Sequence, residues 1–202
     1  ADARLLARAA ALLGKADEAA QYNALADQIR DAFNAKFYDA GKGTYGTQTA
    51  NGCAIYQGLV AEDQRERVVK ALEESVLAYG KHFDGGILGS KYVPRALSDN
   101  GRAGLVYDMA SQTSFPSWGH WLEQGATTLW ENWNGEDSRN HIMFGDIVAW
   151  FYSALAGIRP DPEQPGFKHV IVEPHAVGDL TWAHGACQTP YGPLSSAWER
   201  KD

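Results

Sequence analysis

Apolar side chains recur every three or four positions along the first two-thirds of the chain, which is the spacing of one face of an α-helix. The pattern is sharpest at Val68, Val69, Leu72 and Val76, which form a stripe within an otherwise polar segment. The predicted helices span residues 5–14, 17–37, 48–59, 62–79, 91–97, 103–111 and 139–156. The last of them is expected to turn these side chains inward: Phe144, Ile147, Val148, Phe151 and Leu155. Helices of this length joined by short loops are typical of stacked antiparallel hairpins.

The periodicity changes after Gly157. Residues 159–166 include three prolines, which cannot continue a helix. Residues 168–174 then alternate and are rich in β-branched side chains, which predicts a strand, and residues 180–187 and 194–200 predict two more. Three strands are too few for an independently stable sandwich. The sequence therefore predicts a mainly α unit over residues 1–158 and an incomplete antiparallel β unit over residues 165–202.

Composition and charge narrow the classes of partner. The chain has 18 Lys and Arg residues against 25 Asp and Glu, a net charge of −7, and no basic run, so a nucleic-acid partner is not expected. Its apolar stretches are far shorter than the roughly 20 residues that cross a bilayer, so no membrane partner is expected. Cys53 and Cys187 stand outside any Cys/His cluster, so we expect two buried thiols, no metal and no cofactor. The pairing of the thiols and the cellular compartment stay open.

Two short motifs suggest chemistry that their surroundings do not support. Residues 41–46, Gly-Lys-Gly-Thr-Tyr-Gly, match the dinucleotide fingerprint G-x-G-x-x-G, but a helix precedes them where the fingerprint needs a strand. We interpret them as a turn between helices in which glycine supplies a positive φ angle. Ser117, His120 and Asp108 include the residue types of a nucleophile, a base and an orienting acid, but no strained nucleophile turn surrounds Ser117. We interpret these three as structural residues.

A Trp-rich segment is the strongest candidate for a site. All seven Trp residues lie at or after Trp118. An indole ring offers a flat apolar face to a sugar ring, but a Trp-rich core at a helix junction explains the pattern equally well. Glu131 lies between Trp130 and Trp133, where partial desolvation favours the protonated carboxyl group and suits it to proton transfer. The alternative is a local role for Glu131, as a cap or as a partner of Arg139.

His141 follows Ser-Arg-Asn at the predicted start of the last long helix. One interpretation is a residue at a helix N-terminus whose imidazole bonds to a nearby carbonyl. The other is a hydrogen-bond donor to a sugar hydroxyl beside Glu131. Taken alone, the residue favours the first interpretation.

Longer motifs resemble a known family. Residues 125–133, Gly-Ala-Thr-Thr-Leu-Trp-Glu-Asn-Trp, followed by Ser-Arg-Asn-His at 138–141, closely resemble the catalytic region of the bacterial α-L-rhamnosidases. Residues 45–51, including Thr-Gln-Thr-Ala, and the Pro-Ser-Trp-Gly turn at 116–119 also resemble that family. Gly-Asp-Leu-Thr-Trp-Ala at 178–183 and Pro-Tyr-Gly at 190–192 are similar to its passage into a C-terminal β-sandwich. The resemblance spans nearly the whole chain in the same order.

The resemblance implies a fold, a reaction and a set of site residues. It implies part of an (α/α)₆ barrel and the inverting hydrolysis of terminal α-L-rhamnosides. Such enzymes use one carboxylic acid on the leaving oxygen and one carboxylate that activates water. The family's general base corresponds to Glu131, and its sugar-contacting histidine corresponds to His141. From the indole chemistry we further expect Trp118, Trp130 and Trp133 to contact the sugar.

The resemblance also leaves parts of the family pattern unmatched. The family's general acid lies N-terminal to anything in this chain, and His120 replaces the Tyr that usually follows Pro-Ser-Trp-Gly. We therefore expect a fragment that is inactive alone. The alternatives are a non-catalytic carbohydrate-binding module and a structural remnant that binds nothing. Half a barrel leaves helix faces such as those of Phe33, Phe37 and Leu72 without assigned partners, and an unfinished sheet leaves an open edge. We therefore expect the isolated chain to be a homo-oligomer. If that oligomer is active, Glu123, Glu136 and Asp84 are the candidate acids.

Overall fold

A computed structural model describes residues 1–201. Its α-helices are α1 (Asp2–Leu12), α2 (Ala16–Phe37), α3 (Gln48–Tyr56), α4 (Arg65–Ala78), α5 (Gly89–Ser98), α6 (Ala103–Ala110), α7 (Trp118–Glu123) and α8 (Asp146–Trp150). A 3₁₀ turn (Glu62–Gln64) leads into α4 and another (Ile142–Gly145) into α8, and a π-helical segment (Phe151–Leu155) follows α8. The strands are β1 (Ile158–Pro160), β2 (Val170–Val172), β3 (Trp182–Thr189) and β4 (Gly192–Glu199). The predicted fold class, mainly helical with a short antiparallel β unit, is confirmed.

The core lies where α3 and α4 pack against each other and α3 packs against α5. The predicted stripe on α4 is correct, because Val68, Val69, Leu72 and Val76 are all fully buried. Leu72, whose partners could not be assigned from the sequence, therefore packs in the core, whereas Phe37 is exposed. Phe33 is half-buried against the rings of Phe37 and Tyr45.

The glycine-rich segment between α2 and α3 is an interhelical turn. Thr44 closes it by accepting a backbone hydrogen bond from Asp39 at 2.9 Å, and Gly43 has a φ of 70°. The side chain of Asn51, fully buried in α3, accepts hydrogen bonds from Thr44 Oγ1 at 3.0 Å and from the backbone nitrogen of Tyr45 at 2.7 Å. A buried amide that is satisfied in this way fixes the turn against the helix.

The prediction of one continuous helix over residues 139–156 is wrong. Residues 139–141 belong to a loop, and the rest is divided among a 3₁₀ turn, α8 and the π-helical segment. Phe144 and Ile147 are buried as predicted, but Val148 and Phe151 are 49% and 39% exposed. The buried residues of this segment include Phe144, Ile147, Trp150 and Ala154, and Val148 and Phe151 lie beside that buried face.

The helices α1 and α2 form a hairpin that covers only part of their apolar surface. Ala7 and Ala10 of α1 and Ala19 of α2 are buried. Several larger side chains stay between 44% and 89% exposed, and we call them the α1–α2 apolar set: Leu5, Leu6, Leu12, Leu13, Leu25 and Ile29. No helix in the described part of the chain has both the length and the apolar composition to cross a membrane.

The β unit consists of two antiparallel pairs, β1 with β2 and β3 with β4, in place of the predicted set of three strands. The unpredicted strand β1 ends at Pro160, a terminal position at which a missing N–H is tolerated. The unit contacts the helices directly, because Trp198 Nε1 donates to the carbonyl of Leu155 at 2.7 Å. The division into residues 1–158 and 165–202 stays a prediction. Cys53 and Cys187 are free thiols, but they are half-buried, whereas we expected both to be buried.

Candidate functional site

The predicted base and the predicted sugar-contacting histidine lie on facing segments of one loop. The backbone nitrogen of Glu131 donates to the carbonyl of Ser138 at 2.8 Å, and that of His141 donates to the carbonyl of Leu129 at 2.9 Å. The hydroxyl of Thr128 donates to the carbonyl of Arg139 between them. These bonds hold residues 128–131 against residues 138–141. We call the whole segment 128–141 the Glu131 loop.

The carboxylate of Glu131 is half-buried and held at one oxygen. Its Oε2 accepts a hydrogen bond from the backbone nitrogen of Ser138 at 3.4 Å. Within residues 1–201, Oε1 has no hydrogen-bond partner. The alternative pairing with Arg139 does not occur there. Arg139 instead lies over the Trp130 ring at 4.7 Å and donates to the carbonyl of Gly135 at 3.0 Å.

His141 caps the 3₁₀ turn that precedes α8. Its Nδ1 accepts a hydrogen bond from the backbone nitrogen of Met143 at 3.4 Å. A neutral imidazole that accepts at Nδ1 carries its proton on Nε2. The ring is therefore fixed by a backbone N–H and not by a backbone carbonyl, which was the first interpretation of the sequence. The Nε2–H group remains available as a donor.

Four tryptophans pack into one aromatic cluster together with Phe83 and Phe144: Trp118, Trp121, Trp130 and Trp133. Trp121 lies at its centre, with ring centroids 4.5 Å from Trp133 and 5.7 Å from Trp130. Trp121 Nε1 donates to the carbonyl of Trp133 at 2.9 Å, which ties α7 to the Glu131 loop. The interpretation as a Trp-rich core is therefore correct for Trp121 and Trp130, which are 2% and 6% exposed.

Three predicted sugar contacts differ in the surface they present. Trp118 and Trp133 are half-buried, and their rings meet edge to face at 5.2 Å. Trp118 Nε1 donates to the carbonyl of Phe144 at 3.1 Å, so its polar edge is used within the protein. Trp130 is buried under Arg139, and a Cβ atom at Gly135 would lie 2.7 Å from its ring. Trp130 therefore has little surface to offer a sugar.

The Ser117, His120 and Asp108 combination is structural, as we interpreted it. Ser117 is buried, and its hydroxyl accepts a hydrogen bond from the backbone nitrogen of His120 at 3.0 Å as the N-cap of α7. Asp108 forms an ion pair with Lys81 at 2.7 Å. No group of three or more His, Cys, Asp or Glu side chains in the described chain is arranged to hold a metal ion.

A cleft that the sequence did not predict borders the aromatic cluster. It has a volume of about 410 Å³ and lies between the segment 79–86 and Phe115, with Trp133 and the start of α3 as further walls. Asp84, which the sequence offered only as a candidate acid for an active oligomer, lines this cleft. Two signals point to it in the sequence: polar Thr47, Gln48 and Thr49 open an apolar helix, and Gly85 and Gly86 follow directly on Asp84.

Comparisons with known proteins agree with the motif resemblance. A family model described as the bacterial alpha-L-rhamnosidase 6 hairpin glycosidase domain matches residues 1–155, and the bacterial alpha-L-rhamnosidase C-terminal domain matches residues 157–202. Alpha-L-rhamnosidases of Formosa agariphila and Streptomyces avermitilis are 33% and 31% identical over 99% and 98% of this chain. The chain covers 23% and 20% of those two proteins, so it spans about a fifth of their length.

Solved structures agree in fold. The alpha-L-rhamnosidase from Dictyoglumus thermophilum superposes with a TM-score of 0.93 at 37% identity, covering 100% of this chain and 23% of that one. The Streptomyces avermitilis alpha-L-rhamnosidase complexed with L-rhamnose gives 0.91 at 31% identity, covering 98% of this chain and 20% of that one. The chain belongs to the bacterial α-L-rhamnosidase family of glycoside hydrolases.

Proposed function

We propose that this chain supplies the general-base side of an inverting α-L-rhamnosidase site, with Glu131 as the base. The observation that carries the proposal is the half-buried Glu131 carboxylate, held at Oε2 by Ser138 with Oε1 unoccupied within residues 1–201. Family membership supports hydrolysis over the alternative of a non-catalytic carbohydrate-binding module.

In the proposed reaction, Glu131 takes a proton from a water molecule as its oxygen bonds to the anomeric carbon of a terminal α-L-rhamnoside. The bond from that carbon to the leaving oxygen breaks, and an acid on the opposite face protonates the leaving group. Water attacks from the face opposite the leaving group, so the product is the β-anomer. We propose that the acid belongs to a segment outside these 202 residues. The short share of the relatives' length that the chain covers supports this.

The proposed sugar contacts follow from the geometry of the loop. His141 Nε2–H donates to a sugar hydroxyl, because its Nδ1 is already occupied by Met143. Trp118 and Trp133 offer apolar ring surface to the sugar. Trp130 stabilises the Glu131 loop through the contact of its ring with Arg139.

The experiment that tests this function replaces Glu131 by Gln in the complete reading frame that encodes this chain. Hydrolysis of an aryl α-L-rhamnoside is expected to slow by at least about 100-fold, the usual contribution of a general base. Azide, which needs no deprotonation, is expected to restore turnover and to yield a β-configured rhamnosyl azide.

Glu62→Gln is the matched control, because Glu62 is an exposed carboxylate in the 3₁₀ turn before α4. It is expected to keep full activity, and both variants are expected to unfold at the wild-type temperature. Near-full activity of Glu131→Gln would remove Glu131 from the mechanism. Hydrolysis by the 202-residue chain alone would overturn our placement of the acid.

A further inference from the structure

The cleft beside the aromatic cluster, which we call the Asp84 cleft, has the size of a small-molecule site. Its volume of about 410 Å³ lies within the usual range for ligand pockets. Tyr79, Phe115 and Trp133 supply aromatic surface, whereas Thr47 and Asp84 supply polar groups. Within residues 1–201, the Asp84 carboxylate has neither an ion-pair nor a side-chain hydrogen-bond partner.

Hydrogen bonds from distant parts of the chain hold the cleft in shape. Gln48 is 3% exposed, and its side-chain oxygen accepts a hydrogen bond from the backbone nitrogen of Asp84 at 3.0 Å. The Gln48 nitrogen donates to the carbonyl of His82 at 3.4 Å. The His82 ring is in turn bonded to Ser114 Oγ at 2.9 Å, which joins the Asp84 segment to the Phe115 segment. The two sides of the cleft are therefore linked to each other and to α3.

Glycines let the Asp84 segment approach α3 closely. A Cβ atom at Gly85 would lie 2.4 Å from Phe83 Cζ and 2.9 Å from Thr49 Oγ1. A Cβ atom at Gly89 would lie 2.4 Å from the same Thr49 oxygen. Any side chain at either position would displace Asp84 or the wall of the cleft.

These groups fit a neutral sugar. Aromatic faces pack against the apolar faces of a pyranose ring, and a carboxylate accepts hydrogen bonds from its hydroxyls. An anionic ligand is disfavoured because Asp84 is negative and no Lys or Arg from the described residues lines the cleft. A wholly apolar ligand would leave Asp84 without a function in binding.

We propose that the Asp84 cleft binds the sugar unit next to the rhamnose that is cleaved, with Asp84 accepting its hydroxyls and Gln48 positioning Asp84. The proposal rests on the proposed function for the identity of the substrate. Glu131 is not among the residues that line the cleft, and we therefore place the cleft beside the bond that breaks. Trp133 lines the cleft and follows Glu131 by two positions, so both subsites share one loop.

The test is an NMR titration of the 202-residue chain, which lacks the proposed acid and is therefore expected to leave the probes intact. The probes are methyl α-L-rhamnoside and two rhamnosyl-glucose disaccharides with different linkages, rutinose and neohesperidose. At least one disaccharide is expected to shift the amide signals of Gly85 and Gly86, whereas the monosaccharide leaves them in place. Asp84→Ala is expected to weaken disaccharide binding about tenfold, as for the loss of hydrogen bonds to a charged acceptor.

Asp63→Ala is the matched control, because Asp63 is an exposed carboxylate in the 3₁₀ turn before α4. Equal disaccharide affinity of the Asp84→Ala and Asp63→Ala variants would overturn the proposal. So would disaccharide shifts confined to the Glu131 loop, or none from either disaccharide. Each of these results leaves the Glu131→Gln hydrolysis assay unaffected, so the two proposals fail separately.

The positioning role of Gln48 has its own readout. If Gln48 acts through Asp84, the double variant Gln48→Met, Asp84→Ala binds the disaccharide as weakly as Asp84→Ala alone. Additive losses would show that Gln48 acts by another route. If Gln48→Met does not fold, as a loss of dispersion in its NMR spectrum would reveal, the Asp84→Ala titration decides the binding proposal alone.

Discussion

Replacing Trp121 by Phe tests whether α7 holds the Glu131 loop in place. Trp121 is 2% exposed, and its indole N–H is the donor to the carbonyl of Trp133 at 2.9 Å. Phe keeps an aromatic ring in the cluster but removes this donor. The Trp133 carbonyl then loses its partner in a partly buried site.

The magnitude follows from two losses. An unsatisfied buried acceptor costs about 1–3 kcal/mol. The smaller ring also leaves a gap beside Trp133 and Phe144, whose centroids lie 4.5 Å and 5.5 Å away, and this adds about 1 kcal/mol. The free energy of unfolding is therefore expected to fall by about 2–4 kcal/mol. For a chain of this size that lowers the unfolding midpoint by about 5–15 °C.

The assay is thermal unfolding followed by circular dichroism, with Trp182→Phe as the matched control. Trp182 undergoes the same chemical change, but it is 63% exposed on β3, so its effect is expected to stay within about 0.5 kcal/mol. Equal midpoints for the two variants would refute the assignment of Trp121 as the residue that ties α7 to the Glu131 loop.

Three further predictions concern the β unit, a thiol and association. The hydroxyl of Tyr107 donates to Asp179 at 2.7 Å, and this bond lowers the pKa of the Asp179 carboxyl. Tyr107→Phe should therefore reduce the unfolding midpoint at neutral pH, and the difference from wild type should shrink as pH falls through the lowered pKa; a difference that grows on acidification would contradict the bond. Burial raises the pKa of the Cys53 thiol, so Cys53 should react with iodoacetamide more slowly at pH 8 in the native chain than in urea, as mass spectrometry of the labelled peptides can show. The α1–α2 apolar set should make the chain a homo-oligomer in light scattering, and Leu12→Lys with Leu13→Lys should weaken the association; a wild-type monomer at high concentration would refute it.

Sequence reasoning succeeded where a local pattern controls the structure. The α4 stripe is buried because spacing alone puts Val68 and Leu72 on one face of a regular helix. It failed for residues 139–156, because π-helical and 3₁₀ turns depend on tertiary packing that a hydrophobic period does not encode. The base and the histidine could be named from motifs, but Trp130 could not be separated from Trp133 as core or surface. That difference arises from Arg139, which covers Trp130 through a contact that sequence spacing does not reveal.

The two proposed subsites are held by interactions of different range, and this has a consequence for function. Glu131 is held by Ser138, seven positions away, within a single loop. Asp84 is held by Gln48, which is 36 positions away, and its segment is joined by His82 to Ser114, 32 positions away. Hydrogen bonds of an exposed loop open more readily than contacts of a helix in the core, and α3 lies in the core. Mild urea should therefore disturb the base before the second sugar site, and the Glu131 amide proton should exchange with solvent faster than the Asp84 amide proton, as NMR can measure.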